Sequence, residues 1–223
     1  MDKFLELIEK NKDKFDTYYQ SLVSYNSHTN LTAITEKDDV YTKHFLDSIL
    51  SIDEIPNGAT VIDIGAGAGF PSLPIKIVRP DIKLTMLDSL NKRIIFLNEI
   101  CNELNIKSTN VHSRAEDYSK LYREKFDIST ARAVARLNTL LEYLLPLTKV
   151  GGKVIIYKGS NYLEELEEAE NAINILGGKV DKILKFNLPN NAGERNIIII
   201  DKIAPTPMKY PRSKNEPKLN PIK

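Results

Sequence analysis

The chain opens with apolar residues at helical spacing and changes rhythm near residue 58. In residues 3–25, Phe4, Ile8, Phe15, Tyr18, Tyr19 and Leu22 fall near one helical face, which predicts an amphipathic helix. A second helix is predicted from Lys37 to about Ser51, with Val40, His44, Phe45 and Leu46 on or near one face. Asn57-Gly58 is a turn signal. From Thr60 onward, short β-branched runs alternate with helix-length segments. The runs are TVIDI (60–64), KLTMLD (83–88), STNVH (108–112), FDISTA (126–131), KVIIY (153–157), VDKILKF (180–186) and NIIIID (196–201). Leu90, Ile94, Leu97, Cys101 and Leu104 mark one intervening helical stripe.

Apolar strands alternating with helices predict a parallel sheet covered on both faces. The last two runs are joined by LPNNAGER, which is too short for a crossover helix, so they should pair antiparallel at the sheet's end. The expected organisation is an N-terminal helical extension (1–58), an α/β core (59–203) and a tail (204–223). A mostly parallel, seven-stranded, Rossmann-like sheet ending in an antiparallel hairpin is the plan of class I methyltransferases that use S-adenosylmethionine (SAM). That likeness is one of fold alone.

Composition narrows the setting. Over 223 residues, 42% hydrophobic and 27% charged, the chain is an ordinary globular one, with no apolar stretch long enough to cross a bilayer and no leader-like start. A single cysteine, Cys101, excludes an intramolecular disulfide and points to the cytoplasm. The net charge of +1 hides an asymmetry. From Lys202 onward six basic residues face one acid, about +5, which leaves 25 basic and 29 acidic residues in 1–201. Five prolines, at 205, 207, 211, 217 and 221, should keep this tail extended. It reads either as a basic arm for a polyanion such as nucleic acid or as a solvated terminus.

The stretch VIDIGAGAGFPSLP (61–74) places a glycine-rich turn directly after the first strand. A dinucleotide fingerprint needs glycines spaced G-x-G-x-x-G. Here they fall at Gly65, Gly67 and Gly69, and Phe70 occupies the slot of the third fingerprint glycine. Asp63 followed by this spacing fits a SAM loop, whose backbone must approach a methionine moiety closely; a merely tight strand–helix turn is the alternative. Phe70 is expected beside the cofactor. Asp88, ending the second strand, suits ribose hydroxyls or an ordinary helix cap. Ala115 and Glu116 follow the third strand, where adenine would be read, and Arg132 follows the fourth, near a methionine carboxylate or a substrate phosphate.

The acceptor is narrowed by elimination. Methylating carbon five of a pyrimidine needs a cysteine nucleophile, and Cys101 sits on an apolar helical stripe. An exocyclic amine commonly uses an Asn/Asp-Pro-Pro-aromatic turn after the fourth strand, where this chain has ARAVARL. An acceptor already nucleophilic at neutral pH, such as the nitrogen-7 of guanine, remains, alongside small-molecule acceptors. His28, His44 and His112 are scattered and have no cysteine companions, so no metal site is expected. The acidic run at Glu164, Glu165, Glu167, Glu168 and Glu170 reads as a solvated face turned from any RNA.

NLTAI (30–34), HFLDS (44–48), DIGAGAGFPSLPIKIVRP (63–80), LDSLNKRIIFL (87–97), SRAE (113–116), STARAVA (129–135), YKG (157–159) and GER (193–195) together resemble one bacterial family. That family is the small-subunit ribosomal RNA methyltransferase G, also called glucose-inhibited division protein B. The resemblance implies SAM-dependent methylation of nitrogen-7 at guanine 527 of 16S ribosomal RNA, presented as RNA or as the 30S subunit. It also implies SAM contacts at the positions matching Gly65, Phe70, Ala115, Glu116 and Arg132. Two departures stand out: Ser72 and Asn215 each replace a glycine that the family commonly has, the second within the tail's PR-x-x-G-x-P ending. Lys92, Arg93, Lys158, Arg195, Arg212 and Lys214 are the candidate RNA-binding residues. His44, Asp47 and Arg132 are the catalytic candidates, with a structural His44–Asp47 pair as the alternative. A monomer is expected. The competing functions are a non-catalytic SAM-binding ribosome-assembly factor and a small-molecule methyltransferase.

Overall fold

In a computed structural model that describes residues 1–132 and 134–223, with His28 as backbone only, the strands form one sheet ordered β3-β2-β1-β4-β5-β7-β6. They are β1 (Thr60–Ile64), β2 (Lys83–Asp88), β3 (Ser108–His112), β4 (Phe126–Arg132), β5 (Thr148–Lys158), β6 (Gly178–Asn187) and β7 (Glu194–Lys202). β1 to β5 pair in parallel, and β7 runs antiparallel between β5 and β6, as the short LPNNAGER connection requires. The order reverses beside β1, so the loops after β1 and β4 diverge and leave a crevice at their carboxyl ends. β5 begins five residues before the apolar run that announced it, at Thr148. Gly152 makes this possible, because a Cβ there would lie 2.5 Å from Asp127 O.

The helices are α1 (Asp2–Lys10), α2 (Lys12–Thr29), α3 (Lys37–Val40), α4 (Asp47–Ile49), α5 (Ser72–Val78), α6 (Asn91–Glu103), α7 (Ala115–Leu121), α8 (Leu137–Leu144), α9 (Tyr162–Glu168), α10 (Glu170–Ile175) and α11 (Glu216–Leu219). The helix expected over 3–25 is two helices. Its apolar stripe lapses at Asn11, whose side-chain amide donates to Leu7 O and stops the first. The helix expected from Lys37 is interrupted by a π segment, Tyr41–Leu46, that brings Phe45 and Leu46 into the core. Such wide turns reposition side chains and recur at functional sites.

Apolar residues pack on both faces of the sheet. On one, Phe15, Tyr18 and Phe45 from the N-terminal helices are fully buried against Phe70 and Phe96. Burying such a side chain contributes about 1.5–3 kcal/mol. On the other, Leu140, Leu141 and Leu144 of α8 meet Ile173 of α10 and two tail residues, Tyr210 and Ile222. The tail therefore differs from the expected extended arm. Its prolines prevent a long helix but not packing: Arg123 donates to the carbonyls of Thr206, Pro207 and Tyr210 and draws it onto the core.

Candidate functional site

After β1 the chain turns through residues 65–71 before α5. Gly65 and Gly69 have φ of 68° and 96°, a region open to glycine because it lacks Cβ. Space demands glycine as well. A Cβ on Gly65 would lie 2.8 Å from Val134 Cγ2, and one on Gly69 would lie 2.6 Å from the Tyr18 hydroxyl. Tyr18 donates that hydroxyl to Ala68 O, so α2 clamps the loop from outside. From beneath, the fully buried Asp63 accepts from the Ser72 amide and hydroxyl at 3.3 and 2.6 Å. Burial pushes the Asp63 carboxyl up to about 7, against the lowering effect of those two bonds. The serine that replaces a commoner glycine thus supplies a bond that glycine lacks.

A cavity of about 510 Å³ opens beside this loop, walled by Gly65, Asp88, Ala115, Glu116, Val134 and Tyr143. Asp88 caps the turn at the start of the following helix. Its Oδ1 accepts from Leu90 N at 2.9 Å, and Oδ2 accepts from Gly67 N at 2.9 Å and Arg93 at 3.2 Å. A carboxylate offers about four lone-pair sites, so one remains for a ligand hydroxyl. Glu116 is 5% exposed, and its Oε1 has no hydrogen-bond partner among the described residues. A buried, unpartnered acceptor on a residue of the cavity wall fits an exocyclic amine of a bound base. Burial, then the Glu116 charge, pushes the hydroxyl of Tyr143, also on this cavity, up to about 12.

A second cavity, about 530 Å³, lies on the far side of Val134, Ala135 and Arg136, which wall both. Arg132, Lys158, Arg195, Asp47 and Glu165 line it. Arg132 donates to Asp47 Oδ2 at 3.0 Å, and Arg195 Nε lies 3.3 Å from the same oxygen. Burial raises the Asp47 carboxyl's pKa, while the two guanidiniums pull it back. Arg132 also sits 4.9 Å over the Phe70 ring, which in turn stacks on His44 at 4.5 Å. His44 is driven down to about 4, first by burial and then by Arg132. His44 Nδ1 lies 3.2 Å from both the Arg132 guanidinium and Lys43 O, and Nε2 lies 2.8 Å from Thr32 Oγ1, so both ring nitrogens are occupied within the protein. Arg132 thus bridges His44 and Asp47, which were weighed as a direct pair.

The sequence profile of the family described as rRNA small subunit methyltransferase G matches residues 11–198. The chain belongs to that family. It is 50% identical to the ribosomal RNA small subunit methyltransferase G of Lactobacillus johnsonii, with 97% of this chain and 94% of that protein covered. It is 51% identical to the protein of the same name in Staphylococcus saprophyticus, covering 98% and 93%. Two solved structures share the fold at low identity. Precorrin-6y C5,15-methyltransferase of Geobacter metallireducens has a TM-score of 0.55 at 15% identity, over 76% of this chain and 90% of that one. M. jannaschii TYW2, solved in complex with AdoMet, has a TM-score of 0.55 at 12% identity, over 70% and 73%.

In this family member Gly65, Asp88, Ala115 and Glu116 line the first cavity, and Arg132, Asp47, Lys158 and Arg195 the second. Asp63, Gly67, Gly69 and Phe70 line neither; they build the loop from behind. Several candidate RNA-binding cations are engaged by the protein. Arg93 holds Asp88, Lys92 donates to Thr29 O at 3.1 Å, and Lys158 donates to Glu165 at 2.6 Å. Arg212 forms a two-pronged pair with the fully buried Glu142. Lys214 is exposed. Glu165 therefore faces the second cavity, and Glu164 and Glu168 pair with Arg136, so this acidic run is only partly a solvated face. Ala133, within the STARAVA stretch, and the His28 side chain lie outside the described residues. Among the described residues no cluster of three or more His, Cys, Asp or Glu could hold a metal, and no helix is long and apolar enough to cross a membrane.

Sequence reasoning missed Tyr18, which reads as an ordinary stripe residue, and the tail residues Asn215, Lys218 and Pro221 on the first cavity. One signal was available for the tail. Glu142 is a lone charge in the apolar run LNTLLEYL, and a buried acid demands a cation from elsewhere.

Proposed function

We propose that the chain transfers a methyl group from SAM, bound in the first cavity, to nitrogen-7 of a guanine of 16S ribosomal RNA held in the second. The observation that carries this reading is the shared wall: residues 134–136 at the carboxyl end of β4 separate an adenosine-sized cavity from a cationic one. When bound, SAM supplies an electrophilic methyl group on a sulfonium centre. Gly65 permits backbone approach to its methionine part, Asp88 has one acceptor site left for the ribose, and the unpartnered Glu116 oxygen suits the adenine amine.

The acceptor nitrogen of guanine carries an in-plane lone pair and no proton, so the second cavity needs no general base. His44 fits that absence: it is held neutral and occupied by Thr32 and Arg132, which makes it a positioning residue. What the chain contributes is alignment, which supplies up to ~7–11 kcal/mol of a barrier. Lys158 and Arg195, with exposed Lys214, are proposed to hold RNA phosphates, and Asp47 orients Arg132 and Arg195. Cys101, buried on α6 with its thiol pKa raised by burial, lines neither cavity and does not suit a covalent mechanism. A cytoplasmic monomer is the form proposed.

The test is transfer from labelled SAM to naked 16S RNA, 30S particles and assembly intermediates in parallel, with mapping of the modified base. Label at one guanine nitrogen-7 supports the reading, and the map decides the position. SAM binding without label on any ribosomal substrate would leave a non-catalytic assembly factor, and label on a metabolite alone would leave a small-molecule enzyme.

A further inference from the structure

The C-terminal segment, read from its composition as either an arm for RNA or a solvated terminus, reaches the first cavity. Asn215, Lys218 and Pro221 stand on that cavity's wall together with Gly65, Glu116 and Tyr143. Three sets of bonds hold them there. Arg212 donates to Glu142 through its backbone amide at 2.7 Å and its guanidinium at 2.6 and 2.9 Å. Thr139 donates its hydroxyl to Pro217 O at 3.1 Å. Arg114 donates to Asn215 Oδ1 at 2.6 Å. Thr139 and Tyr143 of α8 line the cavity themselves, and Thr139 and Glu142 hold the tail, so this one helix couples cavity and tail.

The Arg114–Asn215 bond has a chemical consequence. Arg114 lies between Asn215 and Glu116, 2.6 Å from the first and 3.5 Å from the Oε1 of the second. Drawn toward Asn215, the guanidinium leaves that buried carboxylate oxygen without a hydrogen-bond partner among the described residues. Asn215 holds φ of 61°, which asparagine tolerates better than most residues. Glycine in its place would keep the turn but lose the amide that restrains Arg114.

We propose that residues 210–222 are a wall of the cofactor cavity, with Lys218 and Pro221 against the adenosine part of the ligand and Asn215 acting as a positioning residue that keeps Arg114 from taking up the unpartnered Glu116 acceptor. This rests on the reading of the first cavity as the SAM site. Arg212, though basic, serves as the segment's anchor to Glu142, and Lys202 at its root is 1% exposed and bonded to Leu176 O.

The experiment is calorimetric titration of the full chain and its variants with SAM and with 5′-methylthioadenosine, which lacks the amino-acid part, alongside binding of a 16S RNA fragment at two salt concentrations. Asn215→Gly/Lys218→Ala changes exposed positions only, and Arg212→Gln releases the anchor. At least fivefold weaker binding of both ligands, by the same factor, is expected in each variant, with wild-type methionine affinity in any direct titration. SAM affinity unchanged in the double variant, with RNA binding weakened, overturns the proposal and restores an RNA arm. Should Arg212→Gln fail to fold, as melting curves would show, the double variant decides alone. If the wild-type chain binds neither ligand, the reading of the cavity fails, a result distinct from variants that bind as tightly as a wild type that binds.

Discussion

Asp47 and Arg132 meet at 3.0 Å across the seam between the N-terminal helices and the sheet, with the carboxylate 3% exposed. Removing one member of such a pair strands the other's charge, at a cost of about 3–5 kcal/mol. Asp47→Ala should therefore unfold at distinctly lower urea, and labelled transfer should fall further than stability explains because Arg132 and Arg195 both lose their restraint. Denaturation within about 0.5 kcal/mol of wild type would mean the pair is replaced by water, in the manner of an exposed pair.

His44 predicts an acid-sensitive fold. Its ring titrates near 4 in the folded chain and near 6.5 when unfolded, so below pH 6.5 the unfolded chain takes up a proton that the folded chain refuses. The neutral ring's contribution is complete above pH 6.5 and drains away as pH falls toward 4, by on the order of 3 kcal/mol. Asp63, raised to about 7, acts in the opposite direction over much of that window. The quantity to measure is thus the difference between wild type and His44→Gln in urea denaturation at pH 7.5 and pH 5. A difference that does not change with pH would refute the buried neutral histidine.

The parallel part of the sheet was readable because its central strands are largely buried on both faces and separated by helices: TVIDI and KLTMLD are β1 and β2 to the residue. Interruptions were harder. Asn11 stops a helix with a side-chain bond, and the π segment at Tyr41 leaves the periodicity nearly intact, so neither alters the hydrophobic pattern strongly. At the site, Gly65 and Glu116 were legible from position after a strand. The tail misled because charge and proline count report solvation of an isolated segment, and say nothing about a buried partner such as Glu142 on α8.

Tyr18 and Gly69 offer a double-mutant cycle. Tyr18→Phe leaves the Ala68 carbonyl unpartnered in a buried place and should cost about 1–3 kcal/mol, with weaker SAM binding as the loop loosens. Gly69→Ala should cost more, since its Cβ would lie 2.6 Å from the same hydroxyl and φ is 96°. Combined, the two should cost less than their sum, because the phenyl ring left by the first change lacks the oxygen that the alanine strikes. Strict additivity in thermal or urea unfolding would place the conflict elsewhere.

Gly65 tests the wall between the cavities. An alanine there sets its Cβ 2.8 Å from Val134 Cγ2, and the backbone at φ 68° resists moving away, so segment 134–136 must give. Both cavities share that segment, and Gly65→Ala should therefore weaken SAM binding and slow transfer to RNA together. Adding Val134→Ala removes the nearest atoms and leaves Cβ at an ordinary 3.7 Å. Transfer at saturating SAM should then recover by about tenfold, equivalent to roughly 1.4 kcal/mol of barrier, although the left-handed backbone still carries its strain. Recovery of binding without recovery of transfer would show that Val134 itself, and not merely the spacing of the wall, aligns the acceptor with the methyl group.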